Sequence, residues 1–210
     1  MTTGQLIDLL IKDLKPEWSF NRIALLAMGM GILIAASAFL VGVGFRADPA
    51  EALHSWRVLL KFVLTGTLAV STTGMLSDLG RPNGAPEGWS WAAVAPLMLA
   101  GAIAIELAME PEANWLARLV GHNSRTCLTV TPLLSVGPLL CFLVAFRTGA
   151  PRAPGFAGAI AGAAASGIGA TFYAANCTDD SPLFVATWYP LAILLVSATG
   201  YFGGRLLLRW

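Results

Sequence analysis

The chain is 210 residues long, 56% hydrophobic and only 12% charged, with a mean hydropathy of +0.70. Soluble globular domains carry charges at about a quarter of their positions, so these values exclude an ordinary water-soluble fold and predict an integral membrane protein. A net charge of +1 offers no basic surface for a phosphate backbone, and no direct nucleic-acid contact is expected.

Taken in chain order, the first element is short. In residues 2–15, Leu6, Leu9, Leu10 and Leu14 fall at helical spacing, with Asp8, Lys12 and Lys15 elsewhere on the wheel. Thr3 is placed to cap the N-terminus and Pro16 ends the pattern. This amphipathic helix has three uses open to it: packing on its own bundle, lying in the bilayer interface, or offering its leucine stripe to a partner's groove.

Six apolar runs follow, at 22–45, 58–77, 89–109, 128–146, 155–175 and 183–207. Each is close to the roughly 20 residues that a helix needs to cross hydrocarbon. They lack the polar alternation of a barrel wall. The predicted fold is therefore an all-α membrane protein: a six-helix transmembrane domain over 22–210, preceded by a cytoplasmic amphipathic segment over 1–21. Ala36-Ser37-Ala38 offers a signal-cleavage pattern within the first run. Asp8, Asp13 and Glu17 precede that run, however, and it continues to Val43, so a retained helix is expected.

With six spans both termini share one side. A cytoplasmic N-terminus puts Lys12, Lys15, Arg22, Arg81, Arg147, Arg152, Arg205 and Arg209 inside, and Arg46, Arg57, Lys61, Arg118 and Arg125 outside. Eight bases against five favour both termini in the cytoplasm. The last loop, 176–182, has two acids and no base, which fits the outer side. Trp89, Trp91 and Trp210 then belong to an inner aromatic belt.

The loops at 78–88 and 147–155 are rich in turn residues, and no linker separates domains. The fifth run is crowded with glycine and alanine. Gly158 and Gly162 make a GxxxG step, and Gly200 and Gly204 make another in the sixth run. Such small faces serve packing within the bundle or between two copies of the chain, so a homo-oligomer is a candidate state. Pro132 and Pro138 are expected to kink the fourth run.

There is no Walker loop, no GxGxxG opening a helix, no CxxC and no HExxH. The polar groups that converge on the outer face are His54, His122, Cys127, Cys177, Asp179 and Asp180. Cys127 and Cys177 sit 50 residues apart beside different spans, yet at one membrane face, where an oxidising compartment permits disulfides. Cys141, in mid-span, reads as a buried apolar residue. The outer pair has several readings. Oxidation would tie the fourth span to the last loop; Cys127, Cys177, His122 and His54 would instead offer sulfur and nitrogen to a soft or borderline metal; a permanent bridge or two unpaired thiols would be purely structural. No other cofactor is expected. Lys61 is expected to snorkel outward, and Glu106 to be interfacial; neither has an obvious partner in the sequence.

The segment from Asn176 to Tyr189, which contains Cys177, resembles the negative regulator of sigma F (NrsF) family, as does the Gly204-Arg205-Leu-Leu-Leu-Arg209-Trp210 ending. The Arg147-to-Pro151 turn, Cys127 and the leucine-rich start share the resemblance. It implies a six-helix anti-sigma factor of a bacterial inner membrane. Such a protein holds an extracytoplasmic-function (ECF) sigma factor inactive and releases it when two periplasmic cysteines sense oxidative or heavy-metal stress. Those roles map onto Cys127 and Cys177. The resemblance also favours Leu6, Leu9, Leu10 and Leu14, together with the turn at Arg81, as the sigma-binding surface. It implies no enzymatic activity; the alternative from the residues is a membrane thiol–disulfide oxidoreductase or a small-solute transporter.

Overall fold

The computed structural model describes residues 20–52, 54–80, 93–147, 149, 151 and 153–208. The expected amphipathic helix with Leu6, Leu9, Leu10 and Leu14, the turn at Arg81, and Trp89, Trp91 and Trp210 lie outside the described residues. Among those described, every regular element is a helix. In chain order they are α1 (Phe20–Gly42), α2 (Pro49–Ala52), α3 (Trp56–Leu79), α4 (Val94–Met109), a 3-10 turn (Glu112–Asn114), α5 (Trp115–Val120), α6 (Ser124–Phe146), α7 (Pro154–Ala174) and α8 (Pro182–Leu207).

Five helical stretches are long and apolar enough to cross a membrane: Asn21–Gly42, Trp56–Leu79, Glu112–Phe146, Pro154–Ala174 and Pro182–Leu207. The expected third span is represented by α4, whose 16 described residues fall short of that length. Large apolar side chains such as Leu33, Leu133, Leu194 and Leu206 point outward from the long helices. A water-soluble bundle would direct such side chains into its core.

The bundle is built around α7, which packs against α8, α6, α3 and α1. Two-thirds of its apolar stretch is buried, against 28% for α1. Small side chains make this central position accessible. A Cβ on Gly158 would collide with the backbone carbonyl of Gly200, and one on Gly200 would collide with that of Gly158. The two GxxxG steps thus face each other across the α7–α8 seam, and these glycine faces serve packing within the chain.

Five hydroxyls on α3, those of Thr65, Ser71, Thr72, Thr73 and Ser77, donate within their own helix. Thr65 donates to the Lys61 carbonyl at 2.9 Å, Thr73 to Ala69 at 2.7 Å and Ser77 to Gly74 at 2.7 Å. These donors are thereby paired although their neighbours are apolar. Helix α6 runs unbroken through Pro132 and Pro138. The up-and-down succession of helices gathers the linkers that follow α1, α4 and α7 at one end, with most of the described charges; Arg22, Asp78, Arg147 and Arg205 lie at the other.

Candidate functional site: two buried thiols beneath a pinned loop

Segment 175–181 begins where α7 stops. The amides of Asn176 and Cys177 both donate to the carbonyl of Tyr173, at 3.0 and 2.9 Å, which curls the chain back over the bundle. The segment ends at Ser181, whose hydroxyl caps α8 by accepting from the Leu183 amide, with Pro182 in the first helical turn.

Between these ends, the loop is held from the first linker, from α3 and from the turn before α6. One carboxylate oxygen of Asp179 accepts from the amides of His122 and Asn123, at 2.9 and 2.7 Å, and from the Asn123 side chain at 3.0 Å. An anion at the start of α6 is favoured by the helix dipole and by the free amides there. Gly121 makes this approach geometrically available: its φ of +59° suits glycine, and a Cβ would strike Phe184 and Asp179. From the first linker, Arg46 pairs with Asp180 at 3.1 Å, while Asn176 donates to the Gly44 carbonyl at 3.1 Å. Arg46 also pairs with Asp48, and this guanidinium holds the Asp48 carboxyl below the usual carboxylate range.

Lys61 supplies the deepest contact. It is fully buried on α3, and its ammonium lies 3.0 Å from the Cys177 carbonyl, 3.2 Å from the Asp179 carbonyl and 2.5 Å from the Asp180 carboxylate. The expected outward snorkelling is therefore corrected: Lys61 turns inward because the loop offers three oxygens there, whereas a buried ammonium without them would be very costly.

Glu106 is corrected in the same way. It is fully buried and ion-paired to Arg57 at 2.9 Å and to Arg118 at 2.8 Å, and it also accepts from Ser181 at 3.0 Å. Glu110 joins both arginines at 3.3 and 2.6 Å. This cluster ties α3, α4, α5 and the loop into one polar cap. The sequence signal for it was a lone base and a lone acid inside apolar runs, since such charges pair with each other or with backbone.

Beneath the cap, Cys127 and Cys177 are 0% and 1% exposed and belong to one apolar cluster with Phe39, Leu134, Tyr173, Phe184 and Tyr189. Both thiols are free, as is that of Cys141. The Cys127 sulfur lies 3.9 Å from the Thr131 hydroxyl, and the Cys177 sulfur 3.8 Å from the Asp179 carbonyl. Burial pushes the Cys177 thiol up, while the Lys61 ammonium pulls the other way. The thiol form, which is the less reactive one, is favoured.

The structure therefore brings the two cysteines together but leaves the histidines apart from them. The His122 side chain is 98% exposed, with Nδ1 3.7 Å from Asp179. His54 is exposed in the turn before α3. Among the described residues, no group of three or more His, Cys, Asp and Glu side chains has the arrangement to hold a metal ion.

Fold and site together define a helical bundle with a thiol pair sealed under one polar cap. The family described as "Negative regulator of sigma F" matches residues 10–210. The chain is similar over its full length, at 32% identity, to the anti-sigma-F factor NrsF of Caulobacter vibrioides, all of which is covered. It is 30% identical to a probable anti-sigma-F factor NrsF of Azospira oryzae over 88% of this chain and 87% of that one. No solved structure matches. The chain belongs to the negative regulator of sigma F family, and this membership implies a regulatory rather than a catalytic role.

Proposed function

We propose that this protein is an anti-sigma factor of a bacterial inner membrane, holding an ECF sigma factor inactive until Cys127 and Cys177 are chemically modified. The observation that carries the regulatory half is the end-to-end similarity to an anti-sigma-F factor. The sensing half is supported by two free cysteines from different helices that share one cluster.

The five long apolar helices and their outward-facing leucines support a membrane location. The excess of bases on one side supports cytoplasmic termini, with the capped end in the periplasm. The sigma factor then meets the opposite end, at Leu6, Leu9, Leu10 and Leu14 and the turn at Arg81.

In this reading a two-electron oxidant joins the two sulfurs, taking two electrons while two protons leave. A thiophilic metal ion acts at the same thiols by displacing those protons. Either event biases α6, α7 and α8 toward a second arrangement with lower affinity for the sigma factor. Turning a mostly bound population into a mostly free one needs roughly 5 kcal/mol of differential binding, whereas one disulfide contributes about 2–4 kcal/mol. Resting affinity must therefore lie close to the release threshold.

The test replaces both cysteines by serine and follows sigma-dependent transcription under oxidant. Loss of induction with sequestration intact is the expected outcome. Unchanged induction would refute the sensor.

A further inference from the structure

The proposed sensor presents a physical conflict. Its two thiols must react with reagents from the aqueous phase, yet they are 0% and 1% exposed. The reacting state is therefore one in which the cover has moved. The cover is segment 175–181, and its attachments differ in kind. Arg46 reaches it from a partly exposed linker, and Asp179 reaches out to the partly exposed turn at 121–123. Two fully buried groups hold it from beneath: Glu106 accepts from Ser181 at its far end, and Lys61 grips its middle. Its ammonium touches the carbonyl of Cys177 itself, that of Asp179, and the carboxylate of Asp180. In the closed state the buried ammonium has loop oxygens where it would otherwise need water, so the loop leaves only as water takes their place.

We infer that Lys61 is the latch of the thiol site: a positioning residue that keeps segment 175–181 closed over Cys177 and Cys127, and whose release from the loop carbonyls is the opening step that any thiol reagent requires. The inference rests on the cysteine-sensing reading for its biological meaning, although the latch itself is a property of the chain alone. It also accounts for the place of Lys61 on α3, inside an apolar helix where an isolated base is otherwise unfavourable. The three oxygens make the closed loop the solvation shell of the charge. Opening is then a local unfolding of one short segment, with the helices retained.

The test uses the full chain purified in detergent and treated with N-ethylmaleimide, with each cysteine followed by peptide mass. The thiol sulfur adds to the ring alkene and its proton ends on the adjacent ring carbon. Cys141 lies on α6 away from the cap and serves as an internal reference. In the parent, Cys127 and Cys177 should react at least about tenfold more slowly than in denaturant. Lys61→Met should raise both rates by about tenfold or more while leaving Cys141 unchanged. General loosening of the bundle would move all three together.

Asp180 is partly exposed, so Asp180→Asn is the milder variant; it should raise the same two rates by about threefold. If Lys61→Met fails to give helical, monodisperse protein, Asp180→Asn carries the test by itself. The latch is overturned if the parent thiols react at the denatured rate, or if folded variants retain the parent's protection. The sensor reading fails separately, if the chain without Cys127 and Cys177 still releases its sigma factor under oxidant.

Discussion

At Cys177, burial and an adjacent positive charge act in opposite directions on one thiol, and burial prevails. A cysteine in an unfolded chain titrates near about 8.5. Because the folded value lies above that, stabilisation of the closed site is complete below about pH 8.5 and is lost as pH rises through the folded value. The rate of Cys177 alkylation against pH should therefore lie on the alkaline side of the curve for the same peptide in denaturant. Coincident curves would show that the thiol is not held in the closed site. The two cysteines at the capped end look very different in sequence and in structure. Asn176, Asp179, Asp180 and Ser181 make the neighbourhood of Cys177 read as polar and open. Each of them spends its polarity on a named neighbour in the fold, and the thiol is left beneath them.

At the scale of elements, the seam between α7 and α8 is where the chain is least tolerant. Gly158→Leu would drive a side chain into the Gly200 carbonyl and the backbone of Gly204. Because the obstacle is backbone, the helices must separate; overpacking of this kind costs about 1–3 kcal/mol and sometimes more. Gly29→Ala on α1 has open space around it, so it should be neutral or gain up to about 1 kcal/mol from helix propensity. Thermal unfolding in detergent compares the two directly. Equal midpoints would mean that the two GxxxG steps do not form a close internal seam.

For the whole molecule, the helices were largely legible because hydrophobic length is a local property. The runs at 155–175 and 183–207 coincide with α7 and α8 to within about one residue at each end. The charge partners were not legible. Lys61 and Asp180 are separated by more than a hundred residues, and Glu106 meets Arg57 and Arg118 only because α3, α4 and α5 converge at one end. Periodicity carries no information about such meetings. The rule that a lone charge inside an apolar run seeks a partner applies to both residues, but it names no partner, and the sequence reads Lys61 as snorkelling and Glu106 as interfacial. Family membership then adds what no helix boundary contains: the kind of protein this is.

The central claim concerns a sigma factor held at the membrane, and capture tests it most directly. The full chain and a version lacking residues 2–15 would each be co-expressed with an ECF sigma factor from the same genome, and the detergent extracts assayed for that factor. Capture by the full chain and not by the shortened one is the predicted result. It would establish sequestration and locate the binding surface at the leucine-rich start. Capture by both would keep sequestration and move the surface to the turn at Arg81 and the loop at 147–155. Capture by neither, with both chains present in the membrane, would contradict the account.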